Sequence, residues 1–335
     1  MSADDTHRTR DSTCPSHDHD PGAHDGEAGS GNAVWADDKV RTLLAQRIET
    51  FWNPDQLELL VGPQPGVPLG GTVLDVGCGP GSFTIPLARA LPSATILGLD
   101  LEEAALEQAR SLASDADLRN VAFHIGDATA LPMSDHEVDA TACQVMLTHV
   151  PDPLAVLREM IRVTRPGGAI LVVEYDTPGT FIRSDDLAST LSIEERVWRF
   201  EMALRFIEGK RSLGRGDERL GSRVPLLLQD LGCTVEDVRI VDRAWRALPP
   251  FSDPRERIGL QSLRAQLEPE SNATRAWAEA CFRAGGVSDV DLERMRRLER
   301  DDPWSIEARA MLDAGTYRYV SALVRFATVA RTPAA

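Results

Sequence analysis

The chain has 335 residues, 42% of them hydrophobic, and a formal charge of −16 at pH 7. That length suits one elaborated domain or two small ones, and the acidic balance disfavours nucleic acid as a substrate because a phosphate backbone would be repelled. The five cysteines are scattered without a C-x-x-C pair, against a disulfide framework or a structural zinc site; no stretch approaches the roughly 18 apolar residues of a membrane span, so a cytoplasmic protein is expected.

Residues 1–33 are rich in Asp, His, Gly and Ser and are expected to form a disordered tail. Cys14, His17, His19 and His24 lie in it, either simply solvated or able to catch a metal ion. Residues 34–71 read as N-terminal helices and a linker. Val40, Leu43, Leu44 and Ile48, then Leu57, Leu59 and Leu60, recur at helical spacing around Asn53-Pro54. Trp35, Phe51 and Trp52 are either packing residues or pocket residues.

The core is predicted over residues 72–250. Thr72–Val76 is an apolar, β-branched strand. It passes into a glycine-dense turn, Gly77-Cys78-Gly79-Pro80-Gly81, and a helix to Leu91. Glycines here permit positive φ and leave no Cβ to keep a ligand from the backbone, and the helix start offers free N–H groups. A nucleotide-like ligand is therefore expected. Ser82 stands where a dinucleotide fingerprint has its third glycine, and no P-loop lysine follows. The acid ahead of the loop, Asp75, favours a ligand bearing a cationic amine. A second strand, Thr95–Leu99, ends at Asp100, placed to accept from a ribose diol. The third, Val121–Ile125, leads into Gly126-Asp127-Ala128, and the fourth spans Val138–Val145.

Leu74 to Glu174, including Asp75-Val76-Gly77-Cys78-Gly79-Pro80-Gly81, Gly126-Asp127-Ala128, His149-Val150-Pro151-Asp152-Pro153 and Arg165-Pro166-Gly167-Gly168 before an apolar strand, resembles the Rossmann-like (class I) S-adenosylmethionine (SAM)-dependent methyltransferases of the ubiquinone and menaquinone type. The resemblance implies an α/β fold, a seven-stranded mostly parallel sheet flanked by helices, with SAM as cofactor. It implies Asp75, Gly77, Gly79, Asp100, Leu101, Asp127, Ala128 and Gln144 as the cofactor-binding set: Asp127 for the adenine amine, Gln144 for the amino-acid end. His149 is either a general base or a residue that orders its loop. Glu174, Tyr175 and Asp176 either position an acceptor or cap the next turn.

Beyond that span, residues 180–216 read as a lid, with a helix opened by Ser192 and Glu195 and stopped at Gly209. A helix over Glu218–Leu231 is expected to kink at Pro225, followed by a strand from Val235 to Asp242. Residues 251–315 carry four helical stretches, read as an inserted helical cap over the acceptor site; Asp253, Ser288 and Asp302 serve as helix caps. Residues 316–335 supply one last strand, Tyr317–Val329. Trp198, Arg205, Trp245, Trp277 and Trp304 are either core or pocket residues. The function expected is methyl transfer to a small organic molecule, at O, N, S or C, in quinone or secondary metabolism. The alternatives are a SAM-binding protein that does not methylate and, more remotely, a nicotinamide-dependent oxidoreductase.

Overall fold

A computed structural model describes residues 51–61, 71–180, 183–185, 191–241, 244–267, 272–301, 303–322 and 324–334. The expected tail, Trp35 and most of the linker lie outside these. Along the described chain, α1 (Pro54–Val61) precedes β1 (Gly71–Val76), α2 (Thr84–Ala90), β2 (Ala94–Asp100), α3 (Glu103–Asp115), β3 (Val121–Ile125) and β4 (Val138–Gln144). A 3-10 turn at Leu147–His149 leads into α4 (Pro153–Val163) and β5 (Thr164–Tyr175). Asp152 caps α4, accepting from Ala155 N at 3.0 Å, with Pro153 in the first turn where its missing N–H is harmless.

The main sheet has seven strands in the order β3-β2-β1-β4-β5-β10-β7, with β7 at Thr234–Ile240 and β10 at Arg325–Arg331. It is parallel except for β10, which runs antiparallel to both β5 and β7. Alternation along the strands divides the core between the two faces. Val73, Ile96, Ala140, Ala142, Leu171 and Val173 pack with Leu57, Leu60, Phe83 and Leu87. Leu74, Val76, Leu99, Ile170 and Val172 pack with Val156, Leu157, Met160 and Leu228. Both faces are covered, as parallel sheets require.

The strand order reverses between β1 and β4, so the crevice at their carboxyl ends is the place where open α/β sheets take ligands.

Three expectations beyond β5 differ from the structure. Gly209 does not stop its helix: α5 runs from Ile193 to Ser212, and the left-handed Gly214 lies just beyond its end. Gly209 instead lets a neighbour in, since a Cβ there would overlap the carbonyl oxygen of Cys281 on α8 (Asn272–Ala284). Pro225 does not kink a helix, because α6 (Val224–Asp230) starts at that point and takes the proline into its first turn. The strand expected over Tyr317–Val329 is two. β9 (Tyr319–Ala322) joins a separate sheet, order β6-β9-β8, with β6 at Arg183–Asp185 and β8 at Ala244–Ala247; β10 completes the main one. The expected lid and cap meet: α5 packs against α8, and the small sheet joins β6, ahead of α5, to β8 and β9, which flank the cap helices. The four cap helices stand close to expectation: α7 (Pro254–Leu267), α8, α9 (Asp289–Asp301) and α10 (Pro303–Asp313), with Asp253 and Ser288 accepting from the backbone N of Arg255 and Asp291. Among the described residues no helix is long and apolar enough to cross a membrane.

Candidate cofactor and acceptor site

The glycine loop begins where β1 runs out. Gly77 N and Cys78 N both donate to Leu99 O, at 2.7 and 3.0 Å, tying the turn to the end of β2. Gly77, Gly79 and Gly81 all take positive φ, 70°, 52° and 85°, a region that L side chains resist. Their surroundings differ. A Cβ on Gly77 would strike the Met146 side chain, whereas a Cβ on Gly79 would meet nothing within 4 Å. Open space therefore lies beside Gly79, against a loop with no side chain to fill it.

Asp100 joins the loop to the second strand end. Its Oδ2 accepts from Gly79 N at 2.7 Å and its Oδ1 from Glu102 N at 3.0 Å. A carboxylate has about four lone-pair sites, so each oxygen keeps one for an outside donor such as a diol. Leu101, just past β2, and Ile125, the last residue of β3 and paired with Asp100, are 54% and 57% exposed, leaving apolar surface at this edge. Asp127 is exposed and its Oδ1 accepts from Thr129 N and Oγ1 at 2.8 and 2.7 Å, which fixes its orientation; Ala128 packs half-buried against the core.

Asp75 takes a different place from a surface ligand contact. It is fully buried, and its Oδ2 accepts from Thr84 Oγ1 at 2.6 Å, bracing the start of α2, while Oδ1 has no hydrogen-bond partner. Burial, reinforced by the Asp100 charge and opposed by the Thr84 bond, pushes its carboxyl up to about 7.

Sequence reasoning left Glu174 between two roles, and its geometry gives a third. The buried Glu174 Oε1 accepts from Met146 N and Leu147 N at 2.8 and 2.7 Å, clamping the loop after β4 against β5. Burial raises its carboxyl to about 7 despite those bonds. Gln144, the last residue of β4, has its Oε1 engaged by Trp52 Nε1 at 2.7 Å, and the Trp52 ring stacks on Phe83 with centroids 5.5 Å apart. Neither pairing carries a spacing signal, because Trp52 and Gln144 stand 92 residues apart.

His149 sits at the end of the 3-10 turn, with Gly216 closing over it: a Cβ on Gly216 would overlap the Thr148 carbonyl. Desolvation, then the nearby Lys210 ammonium, pushes its imidazole down to about 3. A group so weakly basic is neutral throughout the physiological range and ill matched to proton removal there. Lys210 is itself buried and pairs with Glu218 at 2.8 Å.

The aromatic and basic residues singled out in the cap serve its packing. Trp198 donates to Asp291 Oδ1 and lies under the Arg294 guanidinium, Arg205 donates to the carbonyls of Gly285 and Gly286, and Trp277 meets Phe206 edge to face. Trp245 stands on β8 against the cap's own core, and the side chain of Trp304 lies outside the described residues.

Residues 69–211 match a family model described as a methyltransferase domain. A demethylmenaquinone methyltransferase of Listeria monocytogenes is 32% identical over 142 residues, 42% of this chain and 58% of the relative. That of Lactococcus lactis is 30% identical over 149 residues, 44% and 57%. The chain thus spans under two thirds of the length of these curated relatives. Among solved structures, a Bacillus halodurans protein described as a methyltransferase aligns over 84% of this chain and 99% of its own, at 16% identity and a TM-score of 0.51. The cyclase SpnF aligns over 91% and 97%, at 18% identity and a TM-score of 0.52. With the sheet order, the glycine turn and the acid-tipped strands already in place, the chain has a Rossmann-like fold, and its residues 69–211 are similar to methyltransferase domains.

Proposed function

We propose that the protein transfers a methyl group from SAM to a small organic acceptor held beneath the cap, at a ring carbon or heteroatom of a quinone-like or secondary metabolite. The observation that carries this reading is the open cradle at Gly79: a positive-φ glycine with nothing in its Cβ direction and its N–H bonded to the Asp100 carboxylate. The same edge presents the exposed apolar Leu101 and Ile125 for a ring, with Asp127 and Ala128 beside them. A dinucleotide fits less well, because Ser82 replaces the glycine that lets the helix approach a pyrophosphate.

Bound SAM supplies a methyl group already activated by the sulfonium charge. What remains for the chain is to orient the acceptor in line with that methyl and to exclude water. Gly216 over Thr148, and the buried Lys210–Glu218 pair beside His149, close the carboxyl edge of β4 and β5 for that purpose. His149, neutral and weakly basic, suits an acceptor that reacts without a strong base: an activated ring carbon, a thiol, a neutral amine or an already ionised phenol. The quinone class draws support from the names of the curated relatives.

The test is calorimetric. Wild-type protein should bind S-adenosylhomocysteine, and Asp100→Ala should weaken it about ten- to hundred-fold, the loss expected for charge-assisted hydrogen bonds. Unchanged affinity in the variant removes the cofactor assignment. Labelled SAM incubated with a metabolite extract should then mark a small molecule; tight binding with no label transferred, under any extract, identifies a SAM-binding protein that does not methylate.

A further inference from the structure

We infer that Trp52, which touches neither cofactor nor acceptor in this reading, is the positioning residue that sets the Gln144 amide so that it presents donors to the carboxylate end of the cofactor. The inference rests on the SAM reading above and assigns to one side chain the recognition of the amino-acid tail.

An indole nitrogen can only donate. The 2.7 Å bond from Trp52 Nε1 therefore fixes which end of the Gln144 amide faces it, the oxygen, and leaves the NH2 group on the other side. A glutamine without that partner rotates between two orientations, one presenting an acceptor and the other donors. Gln144 ends β4 two residues beyond Ala142, which pairs with Asp75, so it shares that sheet face and continues the register to the level where β1 gives way to the turn at Gly77. Donors there suit a carboxylate and repel nothing in a zwitterionic tail except its ammonium.

Trp52 is held on three sides. It is 5% exposed, its ring stacks on Phe83 at an 18° interplanar angle, and Phe51 packs against it at 5.7 Å. Phe51 is in turn anchored to the first residue of β10: the Arg325 guanidinium lies 3.7 Å from its ring centroid, and Arg325 Nη2 donates to its carbonyl. Gln56 Nε2 donates to Ile240 O at the end of β7. The segment ahead of the sheet is therefore stapled to the carboxyl edge by main-sheet residues, and the indole N–H is delivered to Gln144 from a rigid base.

Trp52→Phe keeps an aromatic ring against Phe83 and removes the N–H together with the rest of the indole's five-membered ring, so some packing is lost with the hydrogen bond. Binding of two probes separates positioning from packing: S-adenosylhomocysteine, which has the amino-acid tail, and 5′-methylthioadenosine, which lacks it. The expected result is a loss of about five- to twenty-fold for S-adenosylhomocysteine, the scale of one hydrogen-bonded group misoriented in a buried site, with 5′-methylthioadenosine unchanged. Gln144→Ala should lose the same discrimination, and Trp52→Phe added to it should change nothing more. Equal weakening of both probes, or of neither, overturns the inference and leaves Trp52 a packing residue. Wild-type protein that binds neither probe overturns the SAM reading itself, and this inference falls with it.

Discussion

Gly77 and Gly79 have the same backbone requirement and opposite surroundings, so substitution separates structure from ligand binding at a distance of two residues. Alanine at Gly79 adopts the left-handed region at a cost of about 1–2 kcal/mol and meets no neighbour. Its methyl group would stand in the cradle, so Gly79→Ala should remain folded with a modestly lower melting temperature and bind S-adenosylhomocysteine at least about tenfold more weakly, one methyl group in a close-packed site being enough to disrupt it. Alanine at Gly77 pays the same backbone cost and collides with Met146, whose N–H is held by Glu174, so Gly77→Ala should lower thermal stability clearly more than Gly79→Ala. Thermal melts of the two variants, read beside calorimetry, check the pair. The three aspartates show the same dependence on surroundings. All stand at or beside strand tips, yet Asp127 is exposed, Asp100 is half-buried with both oxygens bonded to backbone N–H groups, and Asp75 is fully buried. No residue type or spacing distinguishes them; what differs is which atoms pack over each.

Between elements, α5 and α8 are brought together by glycines rather than by complementary large side chains. A Cβ at Gly209 would overlap Cys281 O, and a Cβ at Gly285, just past α8, would overlap Arg205 O, so each glycine admits the backbone of the other segment. Around them Phe206, Phe282 and Trp277 close the contact. Gly209→Ala should force the two segments apart and destabilise the cap by about 1–3 kcal/mol, the usual range for overpacking. Because the cofactor cradle lies in the strand tips and not in this contact, S-adenosylhomocysteine binding should persist while methyl transfer falls; loss of both together would show that cap and core fold as one unit. A mid-helix glycine reads as a stop signal in sequence because its partner, 72 residues further on, is invisible there. Pro225 was misplaced for a related reason: proline is a breaker inside a helix and compatible at its start, and the position of the start was set by the segment before it, where Gly221 lies against the Glu174 and Tyr175 carbonyls.

At the scale of the whole molecule, two buried carboxyls and a half-buried imidazole give folding stability a pH dependence. Asp75 and Glu174 have folded pKa values of about 7, above their ordinary 3.8 and 4.5, so the folded state holds more protons than the unfolded between those values and stability falls as pH rises through about 4 to 7. His149 acts oppositely: its folded pKa of about 3 lies below the ordinary 6.5, so stability rises with pH between 3 and 6.5. The groups facing them are Thr84 and Asp100 for Asp75, the Met146–Thr148 backbone for Glu174, and Lys210 for His149. Two carboxyls against one imidazole leave a net decline from about pH 5 to 7. Asp75→Asn and Glu174→Gln each retain an acceptor oxygen and remove one ionisation. Either variant should gain stability over wild type at pH 8, by roughly 1–3 kcal/mol given 1.36 kcal/mol per pKa unit and partial relaxation, and little at pH 4. Urea midpoints across that range check the sign, and a variant less stable than wild type at pH 8 contradicts it.

The sequence alone determined the parallel core and the glycine turn and acids at its carboxyl edge, because local signals suffice there: strands end in acids, turns need glycine, and helices restart with free N–H groups. The strand boundaries from β1 to β4 follow that pattern to within a residue or so. Tertiary structure decided what depends on pairings across long stretches of chain. It split the last predicted strand, since β9 finds partners in β6 and β8 while β10 inserts between β5 and β7. It set α5 against α8, buried Asp75, brought Lys210 to His149 and delivered Trp52 to Gln144. Each of these rests on contacts between residues far apart in sequence, whose energies come from mutual burial, and no window of neighbouring residues contains that information.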